Sequence, residues 1–368
     1  MLFNYNFGTK VYFGKDCVKD NINVFGKAGK RAFIVTGKDS GKLSGALDDV
    51  IYVLQQCSID YIVYEGIENN PSTENVMDAA FAARNFDADF VIGIGGGSPL
   101  DASKAVAVLA KNDIEPQGLF GNVYDKKPLT IIAIPTTAGT GSEVTQYSIL
   151  TRKDLQTKMS FGNEDTFPKA ALLDSRYTLS MSYETTVNTA VDALSHAMEG
   201  YLSKRSMPVS DILAVEAMGI FGGCIDNLIN NTISLDDREK LLYMSMLAGM
   251  VIAQTGTTII HGLGYSLTYF KGIPHGKANA FFMREYLKYN YDTVSEKIKN
   301  VLNLLKVGSI DQFGEKIDKL ISGRVDLDKS EIKMYASLAM GQRSTLFNAR
   351  TVKEEDLIDI LEKSFPIL

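Results

Sequence analysis

Asp192 and His196 stand four residues apart in TAVDALSHAMEGY, and His261 and His275 bracket HGLGYSLTYFKGIPHG. The chain has 368 residues and only 3 histidines, so these stretches hold every imidazole it has. If the first stretch is helical, Asp192 and His196 share a face about one turn apart and can grip one ion. Glu199 follows a turn later, as an acceptor behind the ligands or as a cap. The plain alternative is a helical Asp–His charge pair, which is common. One carboxylate with three imidazoles would suit Fe(II), Zn(II), Mn(II) or Co(II). Spacing alone leaves both readings open.

Two other stretches are suited to binding phosphate or sugar. GIGGGS (93–98) ends an apolar run and opens a helical one. Glycines admit close backbone approach, and a helix N-terminus offers unpaired N–H groups to an anion. Ser98 stands where a G-x-G-x-x-G pattern would have its last glycine, and the turn follows about the third strand rather than the first. IPTTAGTGSE (134–143) sets Thr136, Thr137, Thr140 and Ser142 among Gly139 and Gly141. It reads either as a self-capping loop or as a loop for sugar and phosphate oxygens. Two such loops at the carboxyl ends of parallel strands point to one crevice.

The elements that must position these residues follow from periodicity. Short apolar runs at RAFIVTG (31–37), DYIVYEG (60–66), DFVIGIGGG (89–97) and TIIAIPTT (130–137) alternate with helical patterns at GALDDVIYVLQQC, 73–86 and SPLDASKAVAVLAKN. Ser98 is expected as the N-cap of the last, with Pro99 at its first position. TQYSILTRKDLQTKMSF reads as a hairpin and KAALLD (169–174) as another strand. Beyond about 180 only helical periodicity remains, with helices expected in TTVNTAVDALSHAMEGYLS, VSDILAVEAMGIFGGCIDNLI, REKLLYMSMLAGMVIA, SEKIKNVLNLLKV and EEDLIDILEKSF. The expected fold class is therefore an α/β domain with a parallel sheet over residues 1–180, followed by an all-α domain over 181–368.

Composition excludes several classes. A 45% hydrophobic and 22% charged chain is of ordinary globular type, and a net charge of −6 argues against nucleic acid as partner. KVYFGKDCVKD balances its lysines with acids and reads as a solvated face. Cys17, Cys57 and Cys224 are widely spaced, which argues against a disulfide framework or a thiolate zinc site. The first residues lack the layout of a signal peptide, and no apolar run is expected to approach the roughly 18 residues that span a bilayer, so a cytoplasmic protein with no membrane partner is expected.

GGGSPLDASKA, IPTTAGTGSEVT, DALSHAMEGY and HGLGYSLTYFKGIPHGKANA, with NYNFGTKVYFGK and IENNPSTENV, resemble the iron-containing (group III) alcohol dehydrogenase family, most nearly its NADPH-dependent butanol dehydrogenase-like branch. The resemblance covers nearly the whole chain in order. It implies an N-terminal dinucleotide-binding domain and a C-terminal helical, metal-binding domain. The implied metal ligands are Asp192, His196, His261 and His275, holding Fe2+ or else Zn2+. Gly256, Gly262, Gly264, Gly272 and Gly276 are expected to let the chain bend so that His261 and His275 meet the other two. The implied cofactor residues are Gly96, Gly97 and Ser98 at the pyrophosphate, with Asp101, Asn70, Thr136, Thr137, Thr140 and Ser142. Lys158 and Leu179 would lie near the ribose and nicotinamide.

Two departures from the family pattern matter. Many members carry a further histidine where this chain has Tyr265. Tyr265 either substitutes for that histidine as a catalytic proton carrier or packs against the nicotinamide, and packing is favoured because an ordinary tyrosine is a poor base at neutral pH. NAD-preferring relatives often carry aspartate where this chain has Gly37. With Lys38 and Ser40 following, Gly37 would admit a 2′-phosphate and predicts NADP(H) over NAD, although Asp39 opposes this if it points inward. The implied reaction is metal-assisted hydride transfer between NADP(H) and a short-chain primary alcohol or aldehyde. Tyr147, Ile149 and Ile252 are expected to line the substrate site, with Tyr269 and Phe270 near its mouth. Alternatives on this scaffold are a polyol dehydrogenase, a maleylacetate reductase, the lyase 3-dehydroquinate synthase and a non-catalytic nucleotide- or metal-binding protein. The partner is a small molecule, and a homodimer or higher homo-oligomer is expected.

Overall fold

The computed structural model describes residues 3–122, 124–323 and 325–365. They form two compact units, Phe7–Met181 and Ser182–Leu368, the second joined by Met1–Asn6. Residues 3–6, expected with the sheet, thus go with the helices. The backbone N–H of Asn6 donates to Gln254 Oε1 at 3.2 Å, and Gln254 Nε2 donates back to Asn6 O at 2.6 Å.

The first unit is built on six parallel strands, β1 (Lys10–Phe13), β2 (Arg31–Gly37), β3 (Asp60–Ile67), β4 (Phe90–Gly95), β5 (Thr130–Pro135) and β8 (Ala170–Leu173). Between β5 and β8 comes an antiparallel hairpin, β6 (Ser148–Arg152) with β7 (Thr157–Phe161). The sheet order is β1-β8-β5-β4-β2-β3. β2 and β4 are neighbours whose onward connections run to opposite sides, so the switch point falls between their ends, at Gly37 and Gly95. Successive strand residues feed opposite faces. Ile34, Ile92 and Ile132 pack under the Ala46–Gln56 helix, while Phe33, Val35, Val91 and Ile131 pack under the Thr73–Asn85 and Gly97–Lys111 helices. β1 was not expected. It is four residues long, lies at the sheet edge and is only half covered, so its sequence carries little apolar signal.

The second unit is helical. Tyr183–Leu202 packs against Pro208–Ile229, Leu235–Thr255 and His275–Leu304. It is buried on every side from Ala190 to Leu202, so its interior polar residues need partners. By length and composition the Pro208–Ile229 helix could cross a bilayer, with mean hydropathy 1.6 in its most apolar window. No membrane span was expected there, because Asp211, Glu216 and Asp226 interrupt the apolar run. Its Ala214, Met218 and Phe221 are buried in this unit. The glycine-bearing segment expected to bend is instead a helix, Ile259–Lys271, set at 109° to Leu235–Thr255. The redirection occurs around it, at Gly256 (φ 67°) and Gly272 (φ 65°), where side chains are disfavoured.

Candidate metal and cofactor sites

Asp192, His196 and Glu199 succeed one another along the buried Tyr183–Leu202 helix. His261 lies in the first turn of Ile259–Lys271, and His275 is the first residue of the next helix, behind Pro274. One carboxylate oxygen of Asp192 and one ring nitrogen each of His261 and His275 lie within 4.8 Å of one another. Asp192 and His261 are buried and His275 half-buried. His196 is not part of that convergent set. Its ring lies flat on His261, with centroids 4.6 Å apart and planes 20° apart.

The atoms behind these candidate ligands decide which nitrogen each imidazole presents. Glu199 is fully buried, and its Oε2 pairs with His261 Nδ1. Its Oε1 accepts from Thr258 N (2.8 Å), Thr258 Oγ1 (2.7 Å) and Ile260 N (2.9 Å). Glu199 therefore fills both expected roles, capping the start of the Ile259–Lys271 helix and fixing the His261 tautomer. Burial alone would raise its carboxyl, but His261 and the Thr258 donors hold it below the usual range. With the Nδ1 proton given to Glu199, His261 turns Nε2 toward Asp192 Oδ1, 3.8 Å away. His275 Nδ1 likewise faces Thr268 Oγ1 at 3.4 Å, leaving its Nε2 toward the same space.

Sequence reasoning passed over Asn279. Its Nδ2 lies 2.9 Å from Asp192 Oδ1, 3.2 Å from His261 Nε2 and 3.4 Å from His275 Nε2. The available signal was its position four residues after His275 in HGKANA, on the same helical face. The donor set, one buried carboxylate with two imidazole Nε2 atoms facing it, fits a borderline divalent ion.

Tyr265 stacks on His275, with ring centroids 5.4 Å apart and planes 13° apart. Its packing partner in this unit is thus a candidate ligand. Phe270 stacks on Tyr335 at 5.4 Å and meets Tyr269 edge-on at 4.9 Å. Ile252 is buried in the Leu235–Thr255 helix.

In the sheet unit the two loops come together at the ends of β4 and β5. The helix after β4 begins at Gly97 with Gly96 as N-cap, and no side chain caps it. Ser98 is therefore not the N-cap. Gly95, at φ 144°, lets the turn close early, and Pro99 falls within the first turn, where its missing N–H costs nothing. Ser98 Oγ instead accepts from Asn70 N at 3.1 Å. A Cβ on Gly97 would lie 2.7 Å from Thr140 Cγ2 and force that side chain aside, and one on Gly96 would press on Thr137 Cγ2 at 3.1 Å, so the two glycines let the loops approach closely. Lys158, on β7, donates to Asn70 Oδ1 at 3.0 Å. Ser98, Asn70, Lys158, Thr137 and Thr140 thus surround a helix N-terminus of unpaired N–H groups, a cradle that suits a phosphate. Ser40 borders it, 3.4 Å from a Cβ built on Gly37 and 3.2 Å from one on Gly95.

Asp101, Thr136 and Ser142 are placed differently. Asp101 is buried and accepts from Ser142 Oγ (2.5 Å) and Ile149 N (2.9 Å), while Ser148 Oγ donates to its carbonyl (2.8 Å). Lys104, fully buried, donates to Ser142 Oγ (2.7 Å), Thr145 Oγ1 (3.3 Å) and Tyr147 O (2.5 Å). Burial pulls the Lys104 ammonium down to about 8 and pushes the neighbouring Glu143 carboxyl up to about 7. Burial also raises Asp101, against the pull of Lys104, Ser142 and the Ile149 N–H. These groups brace the threonine loop from beneath. Thr136 is buried beside the loop, and its N–H donates to Gly95 O at 2.9 Å. Leu179 is exposed after a short 3-10 turn, and Tyr147 and Ile149 are half-buried.

Two family models account for nearly all of the chain. They are Iron-containing alcohol dehydrogenase, over residues 8–175, and Fe-containing alcohol dehydrogenase family, C-terminal, over residues 186–365. The chain is 28% identical to the NADPH-dependent butanol dehydrogenase of Clostridium saccharobutylicum, covering 96% of this chain and 95% of that one. It is 33% identical to the sulfoacetaldehyde reductase of Bilophila wadsworthia, covering 81% of this chain and 77% of that one. It superposes on the crystal structure of an iron-containing alcohol dehydrogenase from Thermotoga maritima with TM-score 0.93 at 40% identity, each chain covered to 100%. Together with the buried Asp–His cluster and the glycine cradle, these matches establish that the chain belongs to the iron-containing alcohol dehydrogenase family, oxidoreductases acting on alcohols or aldehydes with a divalent metal and a nicotinamide cofactor.

Proposed function

We propose that the chain interconverts short-chain primary alcohols and aldehydes with NADP(H), using one divalent ion, Fe2+ in preference to Zn2+. The observation that carries this reading is the buried convergence of Asp192, His261 and His275, with Nδ1 of each imidazole already engaged. Asp192, His261 and His275 would hold the ion, and His196, whose ring lies on His261 outside that set, would turn its ring to complete the four. When bound, the ion supplies a Lewis acid for the substrate oxygen and the nicotinamide exchanges the hydride.

The remaining work falls to the chain's own residues. Glu199 keeps the proton on His261 Nδ1, so that Nε2 carries the lone pair. The N–H groups at Gly96, Gly97 and Ser98 receive the pyrophosphate, and Lys158 with Asn70 serves the ribose side. NADP(H) is favoured because the end of β2 carries Gly37 rather than a carboxylate, with Lys38 and Ser40 following. With every histidine assigned to the ion, the alcohol proton leaves through water or the ribose hydroxyls.

The test follows absorbance at the reduced-nicotinamide band, with metal-loaded protein and a panel of short aldehydes and hydroxyaldehydes. The expected result is turnover of short unbranched aldehydes, with kcat/KM higher for NADPH than for NADH. Equal or better efficiency with NADH would refute the cofactor assignment. Faster turnover of hydroxyaldehydes would favour a polyol enzyme.

A further inference from the structure

Asn279 is fully buried, four residues along the helix that begins at His275. Its amide nitrogen faces three acceptors with two N–H bonds: Asp192 Oδ1 at 2.9 Å, His261 Nε2 at 3.2 Å and His275 Nε2 at 3.4 Å. Asp192, His261 and His275 come from three different helices, and the Asn279 side chain touches an atom of each. Its Oδ1 is buried and accepts no hydrogen bond, an arrangement that costs free energy and is rare without a purpose.

A second, steric observation bears on the same side chain. A Cβ on Gly264 would lie 2.0 Å from Asn279 Oδ1 and 3.2 Å from its Cγ. Gly264 sits inside the Ile259–Lys271 helix, where glycine costs roughly 1 kcal/mol relative to alanine. That cost is explained if the missing side chain is the space that Asn279 occupies.

We propose that Asn279 is a positioning residue that draws Asp192, His261 and His275 into one ligand set, with Gly264 as the steric condition for its approach. By donating to Asp192 Oδ1 it fixes the carboxylate rotamer. By facing both Nε2 atoms it keeps their lone pairs turned inward before an ion arrives. An arriving ion takes the amide's place on those lone pairs, as the Asn279 N–H groups swing away, and meets groups already brought together, so the ordering of three helices does not weaken its binding.

The inference rests on the reading of these three residues as metal ligands. Its test uses the full chain, stripped and titrated with Co2+ against a chromophoric chelator, with the visible ligand-field spectrum recorded. Asn279→Leu keeps the volume and removes the donor, and a denaturation midpoint of the stripped protein reports its fold. The expected result is a folded variant with roughly 10–100-fold weaker Co2+ binding and an altered spectrum. Gly264→Ala, which displaces Asn279 without replacing it, should move affinity and spectrum in the same direction and serves if Asn279→Leu does not fold. Wild-type affinity and spectrum in whichever variant folds would overturn the proposal. If the wild-type chain itself binds no Co2+, the metal-site reading fails instead, which the same titration reveals.

Discussion

At the scale of single residues, the candidate metal site depends on the groups behind Asp192, His261 and His275 as much as on those residues themselves. Glu199 has two separable tasks. As a cap it satisfies the N–H groups of Thr258 and Ile260, and as an anion it orients His261. Glu199→Ala should therefore lower stability by about 3–5 kcal/mol, read from urea midpoints, because it strands buried donors beside an imidazole. Glu199→Gln keeps an acceptor for the cap and should recover much of that loss. It should still bind Zn2+ roughly 10–100-fold more weakly, because the imidazole loses its anionic partner. Equal metal affinity in wild type and Glu199→Gln would refute the orienting role. Gly37 is a second separable residue. A Cβ there would meet nothing closer than Ser40 Oγ at 3.4 Å, an ordinary contact, so Gly37→Asp should fold normally. The added carboxylate should shift the ratio of kcat/KM from NADPH toward NADH by tenfold or more, about 1.4 kcal/mol. An unchanged ratio would place the 2′-phosphate elsewhere.

At the scale of elements, close approach of backbones sets the geometry. Gly276 lies one residue after His275, and a Cβ on it would fall 1.8 Å from Asn188 O and 3.1 Å from Asp192 Cβ. Because Asn188 O is helix backbone, Gly276→Ala should push the helices of Asp192 and His275 apart. The expected outcome is about 1–3 kcal/mol of lost stability together with loss of bound metal, read by thermal denaturation and metal analysis. Wild-type values for both would show that the two helices do not set the ligand spacing. Most elements were legible in the sequence, because β2, β4 and β5 are continuous apolar runs and the Tyr183–Leu202 helix keeps a clear period. The Ile259–Lys271 helix was not, since Gly262 and Gly264 depress helix propensity and packing against Asn279 and Thr345 restores it. Ser98 was misplaced as a cap because a Ser-Pro pair imitates a helix start, whereas the strained turn at Gly95 is invisible in a one-dimensional pattern.

At the scale of the whole molecule, the two units divide the chemistry, with the candidate cofactor cradle in the sheet unit and the candidate metal site in the helical one. The candidate ligands were legible because histidine is so scarce that its three positions attract attention. Asn279 and Thr268 were not, since an amide or a hydroxyl carries no such signal until folding places it. On the proposed reading, one ion held by Asp192, His196, His261 and His275 is required for hydride transfer. This requirement is tested most directly by metal content and aldehyde turnover measured on the same preparations of wild type and His196→Ala. The expected result is one divalent ion per wild-type chain, and neither retained metal nor turnover in the variant. His196→Ala protein with a full complement of metal and wild-type turnover would contradict it.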